Sequence, residues 1–104
     1  MAINEALLAK IKTSIRIKHT ALDEDVTDNI HACLADLRKV GILESKLDTS
    51  VELDPLILHA VKLFCKAEHT DDPAKAARFR EGYDGLKASL MDTEEYIEEA
   101  ESDG

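Results

Sequence analysis

The sequence predicts an all-α fold: a small helical bundle of three main helices plus an N-terminal helix, with no significant sheet. Three observations carry this. Apolar residues recur at alternating three- and four-residue intervals along two long segments, which puts them on one helix face. The pairs Asp54-Pro55 and Asp72-Pro73 each offer a capping carboxylate followed by a proline at the first helical position. Between them lies a third segment, apolar on nearly every side. Burying such faces requires helix packed on helix.

The elements follow in chain order. Asn4 to Ser14 forms a lead helix with Leu8, Ile11 and Ile15 on one stripe, and the period breaks at Ile15-Arg16-Ile17. The second helix opens on Asp23-Glu24-Asp25, acids that satisfy free amides and complement the helix dipole. Val26, Ile30, Cys33, Leu37 and Val40 then make its seam, Arg38 and Lys39 fill its last turn, and Gly41 takes the left-handed position that ends it. Residues 42–53 carry no helical stripe and read as a connector with a short extended piece around Val51 to Leu53. Asp54-Pro55 starts the third helix, which runs through Ile57, Ala60, Val61, Phe64 and Ala67 with a wet face at Lys62 and Lys66. A helix apolar all round is surrounded by others, so this one should be central. Asp72-Pro73 starts the last helix, with Ala76, Phe79, Tyr83, Leu86 and Leu90 on its seam, fading near Met91. Gly82 and Gly85 within it suggest a close neighbour or a bend. The expected core is Val26, Ile30, Cys33, Leu34, Leu37, Leu56, Ile57, Ala60, Val61, Phe64, Phe79, Tyr83, Leu86 and Leu90.

A chain of 104 residues makes one domain, able to bury roughly 60–65% of its unfolded surface. Residues 1–91 read as the helical domain and 92–104 as an acidic C-terminal tail, expected to be flexible. That tail holds seven acids and no base, out of a net charge of −9. The remaining 91 residues are nearly balanced, with 15 acids against 13 bases. Residues 1–18 run the other way, with Lys10, Lys12, Arg16 and Lys18 against Glu5. The overall sign argues against a tight grip on nucleic acid, which needs a concentrated basic surface. No uncharged run exceeds seven residues, so a membrane span is excluded. The start of the chain lacks the apolar core of a secretory signal, so synthesis in the cytoplasm is expected.

Chemistry is hard to find. No Gly-rich phosphate loop is present. Cys33 and Cys65 sit among apolar residues, where thiols pack rather than react, and free thiols are expected. His31 and Cys33 are two apart, and His59 and Cys65 six apart, so neither pair shares a helix face for zinc. The run Glu68-His69-Thr70-Asp71-Asp72 reads as a helix end and a capped restart. No catalytic residue, metal site or cofactor is expected, and the chain reads as a binding or assembly module rather than an enzyme.

The ordered set of signals is the more informative feature. It runs from a lead helix ending in Ile15-Arg16-Ile17, through Leu22-Asp23-Glu24-Asp25 and the helix from Ile30 to Val40-Gly41-Ile42. It continues with Asp54-Pro55-Leu56-Ile57 and the apolar helix to Phe64-Cys65-Lys66-Ala67. It ends with Asp72-Pro73, Arg78-Phe79, Tyr83 and Leu86-Lys87. In order and spacing this resembles the head–tail connector proteins of tailed bacteriophages, head-completion adaptors linked to DNA packaging, most of all those of phages and prophages of Gram-positive bacteria. The resemblance implies a structural subunit made in the host bacterial cytoplasm that self-associates into a ring in the virion neck. The ring would dock beneath the portal protein, extend the channel for passing DNA without sequence-specific binding, and meet the next head-completion or tail protein. It also implies a C-terminal segment that reaches toward the portal, here with Tyr96 and Ile97 as its large apolar side chains.

Charge placement fits that expectation. Acidic surface repels phosphate and favours sliding of DNA. Ring closure needs two unlike surfaces on each copy. The candidate partner-binding residues are therefore the bases Lys10, Lys12, Arg16 and Lys18, together with Tyr96 and Ile97 of the C-terminal segment that the resemblance implies. Two other readings stand beside this one: a small cytoplasmic helical adaptor or regulator, and a metal-dependent hydrolase built on His59, His69 and Asp71.

Overall fold

Asn4 starts the first helix of the computed structural model, which describes residues 3–17 and 19–97. Its side chain accepts a hydrogen bond from Leu7 N at 2.8 Å and donates to the Thr49 carbonyl, so one residue caps α1 (Glu5–Ser14) and ties it to the connector. α2 covers Asp23–Lys39, a 3-10 turn covers Glu44–Lys46, and α3 (Pro55–His69) and α4 (Pro73–Met91) follow. A single turn, α5 (Glu94–Ile97), closes the described chain. No strand occurs among the described residues, and the fold is all-α as expected.

The two Asp-Pro starts behave as the sequence predicts. Asp54 accepts from Leu56 N and Ile57 N at 3.1 and 3.3 Å, and Asp72 from Ala74 N and Lys75 N at 2.9 and 3.4 Å. The acids opening α2 behave otherwise. None of them caps the helix; Asp23 instead pairs with Lys12 at 2.6 Å and joins α2 to α1.

α1 and α2 both end in a Schellman motif. After α2, Ile42 N bonds back to Leu37 O and Gly41 N to Arg38 O, with Gly41 at φ 105°. After α1, Ile17 N bonds to Lys12 O and Arg16 N to Thr13 O. There the left-handed position is held by Arg16 at φ 63°, a conformation costly for a residue with a Cβ.

α3 is the central element and packs against α1, α2 and α4. Ile11, Val26, Ile30, Cys33, Leu37, Ile57, Ala60, Val61 and Cys65 are fully buried around it. A fully buried aliphatic side chain of this kind contributes roughly 1.5–3 kcal/mol. The seam of α1 differs from expectation by one residue. Leu7 and Ile11 are buried, four apart, while Leu8 and Ile15 sit at the margin. Leu56, expected in the core, is 45% exposed, whereas Ile57 beside it in the first turn of α3 is fully buried, so Leu56 lies off the inward face. Phe64, Phe79 and Leu86 are half-buried, so α4 turns a narrower face inward, anchored by Tyr83 and Leu90.

The connector is not extended at Val51 to Leu53. It folds around the 3-10 turn and buries Ile42, Leu47, Thr49 and Leu53, a spacing that follows no regular period. Gly82 and Gly85 lie inside an uninterrupted α4, and neither is forced by a close neighbour. A methyl at Gly82 would meet Leu63 at an ordinary 3.5 Å, and one at Gly85 would meet open space.

Candidate functional site

Three polar features stand out on this scaffold. The first joins α2 to α4. The Tyr83 hydroxyl donates to Asp36 Oδ2 at 2.7 Å, and Lys87 Nζ donates to the same oxygen at 2.9 Å. Lys87 also lies 5.2 Å from the Tyr83 ring centroid, and Phe64 meets that ring edge-on at 5.3 Å. Burial pushes the Asp36 carboxyl up, but the hydrogen bonds from Lys87 and Tyr83 outweigh it and hold the group below its ordinary range. Burial, then Cys33 and Asp36, raises the Tyr83 phenol far above its ordinary range, so it stays a donor. The Cys33 thiol points at the same hydroxyl from 3.8 Å. Burial pushes Cys33 and Cys65 each up to about 12, and both are free thiols. Protonated and enclosed, they are poor nucleophiles.

The second feature holds the C-terminal segment. The sequence places 92–104 outside the helical domain, yet residues 94–97 form α5 and lie against the connector. Leu43 N donates to the Tyr96 carbonyl at 2.9 Å, and the Tyr96 hydroxyl donates to Asp54 Oδ2 at 2.9 Å. Lys46 bonds Glu95 at 3.2 Å and lies 5.0 Å from the Tyr96 ring centroid. Burial first, then the Asp54 hydrogen bond, pushes the Tyr96 phenol up to about 12. Tyr96 is 5% exposed, and Ile97 packs at the core's margin.

The third is an open cleft of about 420 Å³ where the ends of α1 and α3 meet the start of α4. Arg16, Lys66, His69 and Lys75 border it, with Asp71 and Phe79 beside them. Lys66 Nζ stands 5.6 Å from the Phe79 ring centroid, and His69 Nε2 lies 2.8 Å from Asn29 Nδ2.

The expected partner-binding residues are not gathered in one place. Lys10 pairs with Glu52 at 3.8 Å and Lys12 with Asp23, so both are engaged within the chain. Arg16 borders the cleft. Lys18 lies outside the described residues, as does the tail from 98 onward. Tyr96 and Ile97 lie beside the start of α3, the opposite end from the cleft. Sequence reasoning missed Lys66 and Lys75 as companions of Arg16. Lys75 did leave a signal, being a base in the first turn of a helix that has no acid there.

Among the described residues no three His, Cys, Asp or Glu side chains are placed to hold a metal ion. His59 is exposed on α3, apart from the His69–Asn29 pair. No helix among the described residues is long and apolar enough to cross a membrane. A family model described as phage connector protein matches residues 7–97, from α1 to the last residue of α5. No curated protein and no solved structure matches the chain.

Proposed function

Because the chain belongs to the phage connector protein family, we propose that it is a structural subunit of the virion neck that forms a ring beneath the portal, extends the DNA channel and joins head to tail. The observation that carries this reading is the extent of the family match, which runs from within α1 to the end of α5. The charge distribution supports it. A net charge of −9 suits a conduit that must let DNA slide, and the opposed basic and acidic ends of the chain suit heterologous contacts between copies. The portal and the next head-completion or tail protein are the partners of this reading, and a phage or prophage of a Gram-positive bacterium its source. Arg16 and Lys18, with Ile97 at the other end, are the contact residues it favours; Lys10, Lys12 and Tyr96 contribute less while their intrachain contacts persist.

Mass spectrometry of purified virions, together with deletion of the gene, tests the proposal. The chain should be present in finished particles, and its loss should leave capsids that leak DNA or fail to acquire tails. Particles that lack the chain, with a deletion strain of normal infectivity, would rule the function out.

A further inference from the structure

The cleft between α1, α3 and α4 carries positive charge that the fold around it does not neutralise. Among the described residues, Lys10, Lys12, Arg38, Lys46, Arg80 and Lys87 each have a carboxylate within 4.0 Å. Six other described bases have no such partner; three of them, Lys39, Lys62 and Arg78, lie elsewhere, while Arg16, Lys66 and Lys75 border one opening. Asp71 is the acid beside them.

Two of these cations sit against local preference. Arg16 occupies the left-handed position of a Schellman motif, where the matching motif after α2 uses Gly41. Lys75 lies in the first turn of α4, whose dipole opposes a positive charge. Lys66 and His69, in the last turn of α3, are favoured there by its dipole. Lys75 has the capping carboxylate of Asp72 close by, whereas the placement of Arg16 has no such local reason. A non-glycine residue held in the left-handed region is a common feature of functional sites, and three cations without carboxylate partners around an open cleft favour an acidic ligand.

The chain itself carries one. Residues 98–104 include Glu98, Glu99, Glu101 and Asp103 and no base. The described chain stops at Ile97, beside Asp54 at the start of α3, and the cleft lies at its end. The 15 residues of α3 separate those ends by about 22 Å. Seven residues stretch to about 25 Å at most, so these acids could touch their own cleft only when pulled nearly straight. A second copy imposes no such limit.

We propose that Arg16, Lys66 and Lys75 of one copy hold the acidic residues 98–103 of the next. This rests on the reading of the chain as a subunit that assembles with copies of itself. The contact is head-to-tail, so it propagates into a ring or a filament rather than stopping at a dimer.

The test uses two full-length variants. One neutralises the tail (Glu98→Gln, Glu99→Gln, Glu101→Gln, Asp103→Asn) and the other the cleft (Arg16→Gly, Lys66→Gln, Lys75→Gln). The tail-neutral chain should bind a fluorescent peptide of residues 98–104 in low salt. Arg16→Gly added to it should weaken binding up to about fivefold, and all three cleft changes by on the order of a hundredfold. In sedimentation, each variant alone should be monomeric, and an equimolar mixture should give a one-to-one dimer and nothing larger. Arg16→Gly should melt above the wild type, which separates lost binding from lost fold. Peptide binding that survives the triple change or ignores salt, no peptide binding up to millimolar concentration, or a mixture that stays monomeric would each overturn the proposal. None of these results bears on the presence of the chain in virions, which tests the neck assignment separately.

Discussion

Replacing Tyr83 by Phe removes one oxygen and leaves the ring edge-on against Phe64. What is lost is the 2.7 Å bond to Asp36, half of the polar node joining α2 to α4. A hydrogen bond to a charged acceptor is worth about 1.5–3 kcal/mol when shielded. Asp36 is only partly shielded, its side chain being 34% exposed, so water can replace the donor and the lower end applies. We expect a loss of about 1.5 kcal/mol, seen as a fall in Tm of roughly 6–12 °C for a domain of this size. Urea titration of the wild type, Tyr83→Phe, Asp36→Asn and the double variant isolates the pair. The coupling should be about 1 kcal/mol at neutral pH. Asp36 is held below its ordinary range, so its contribution is present above pH 4 and lost as pH falls through its folded value. The coupling should therefore shrink in acid. Additive single changes at neutral pH, or a coupling unchanged after Asp36 is protonated, would refute the assignment of this node as a charge-assisted link.

Other outcomes follow from single residues. Ile11→Ala should destabilise by about 2–5 kcal/mol in urea titration, since Ile11 is fully buried where α1 meets the bundle. Gly85→Ala should stabilise by about 1 kcal/mol because a methyl there meets open space on a helix. Gly41→Ala should destabilise by about 1 kcal/mol at φ 105°, although space is equally free. Cys33 and Cys65 should react with a thiol reagent at pH 8 on the order of a hundredfold more slowly in the folded chain than in urea. Tyr96→Phe should cost about 1 kcal/mol at neutral pH. The phenol of Tyr96 is pushed up to about 12, so its contribution is whole below pH 10 and disappears as pH rises toward 12. The gap between the two chains should close over that interval.

Helices were legible wherever a local rule decides them. Asp54-Pro55, Asp72-Pro73 and Gly41 act through neighbours two or three residues away, and each does so in the structure. Features that depend on distant partners were not legible. Asp23 reads as a cap but forms an ion pair with Lys12 across a helix pair. Tyr96, inside a run of acids, finds Asp54 forty-two residues earlier in the chain. Leu56 reads as core because its segment is apolar, and it is exposed because Ile57, not Leu56, takes the inward face of that turn. The cleft shows the same division. Arg16 is visible as a base at the end of a helix, while Lys66 and Lys75 join it only through the α3–α4 turn.

Asp54 serves two masters, capping the central helix while gripping the ring hydroxyl of Tyr96. Along with Leu43 and Lys46, it anchors the last described residues at three separate points. Tension drawn on the polypeptide beyond Ile97 would thus meet several bonds, one of them at the root of α3. A tail pulled by a neighbour tugs on the keel of its own subunit, not on a loose thread.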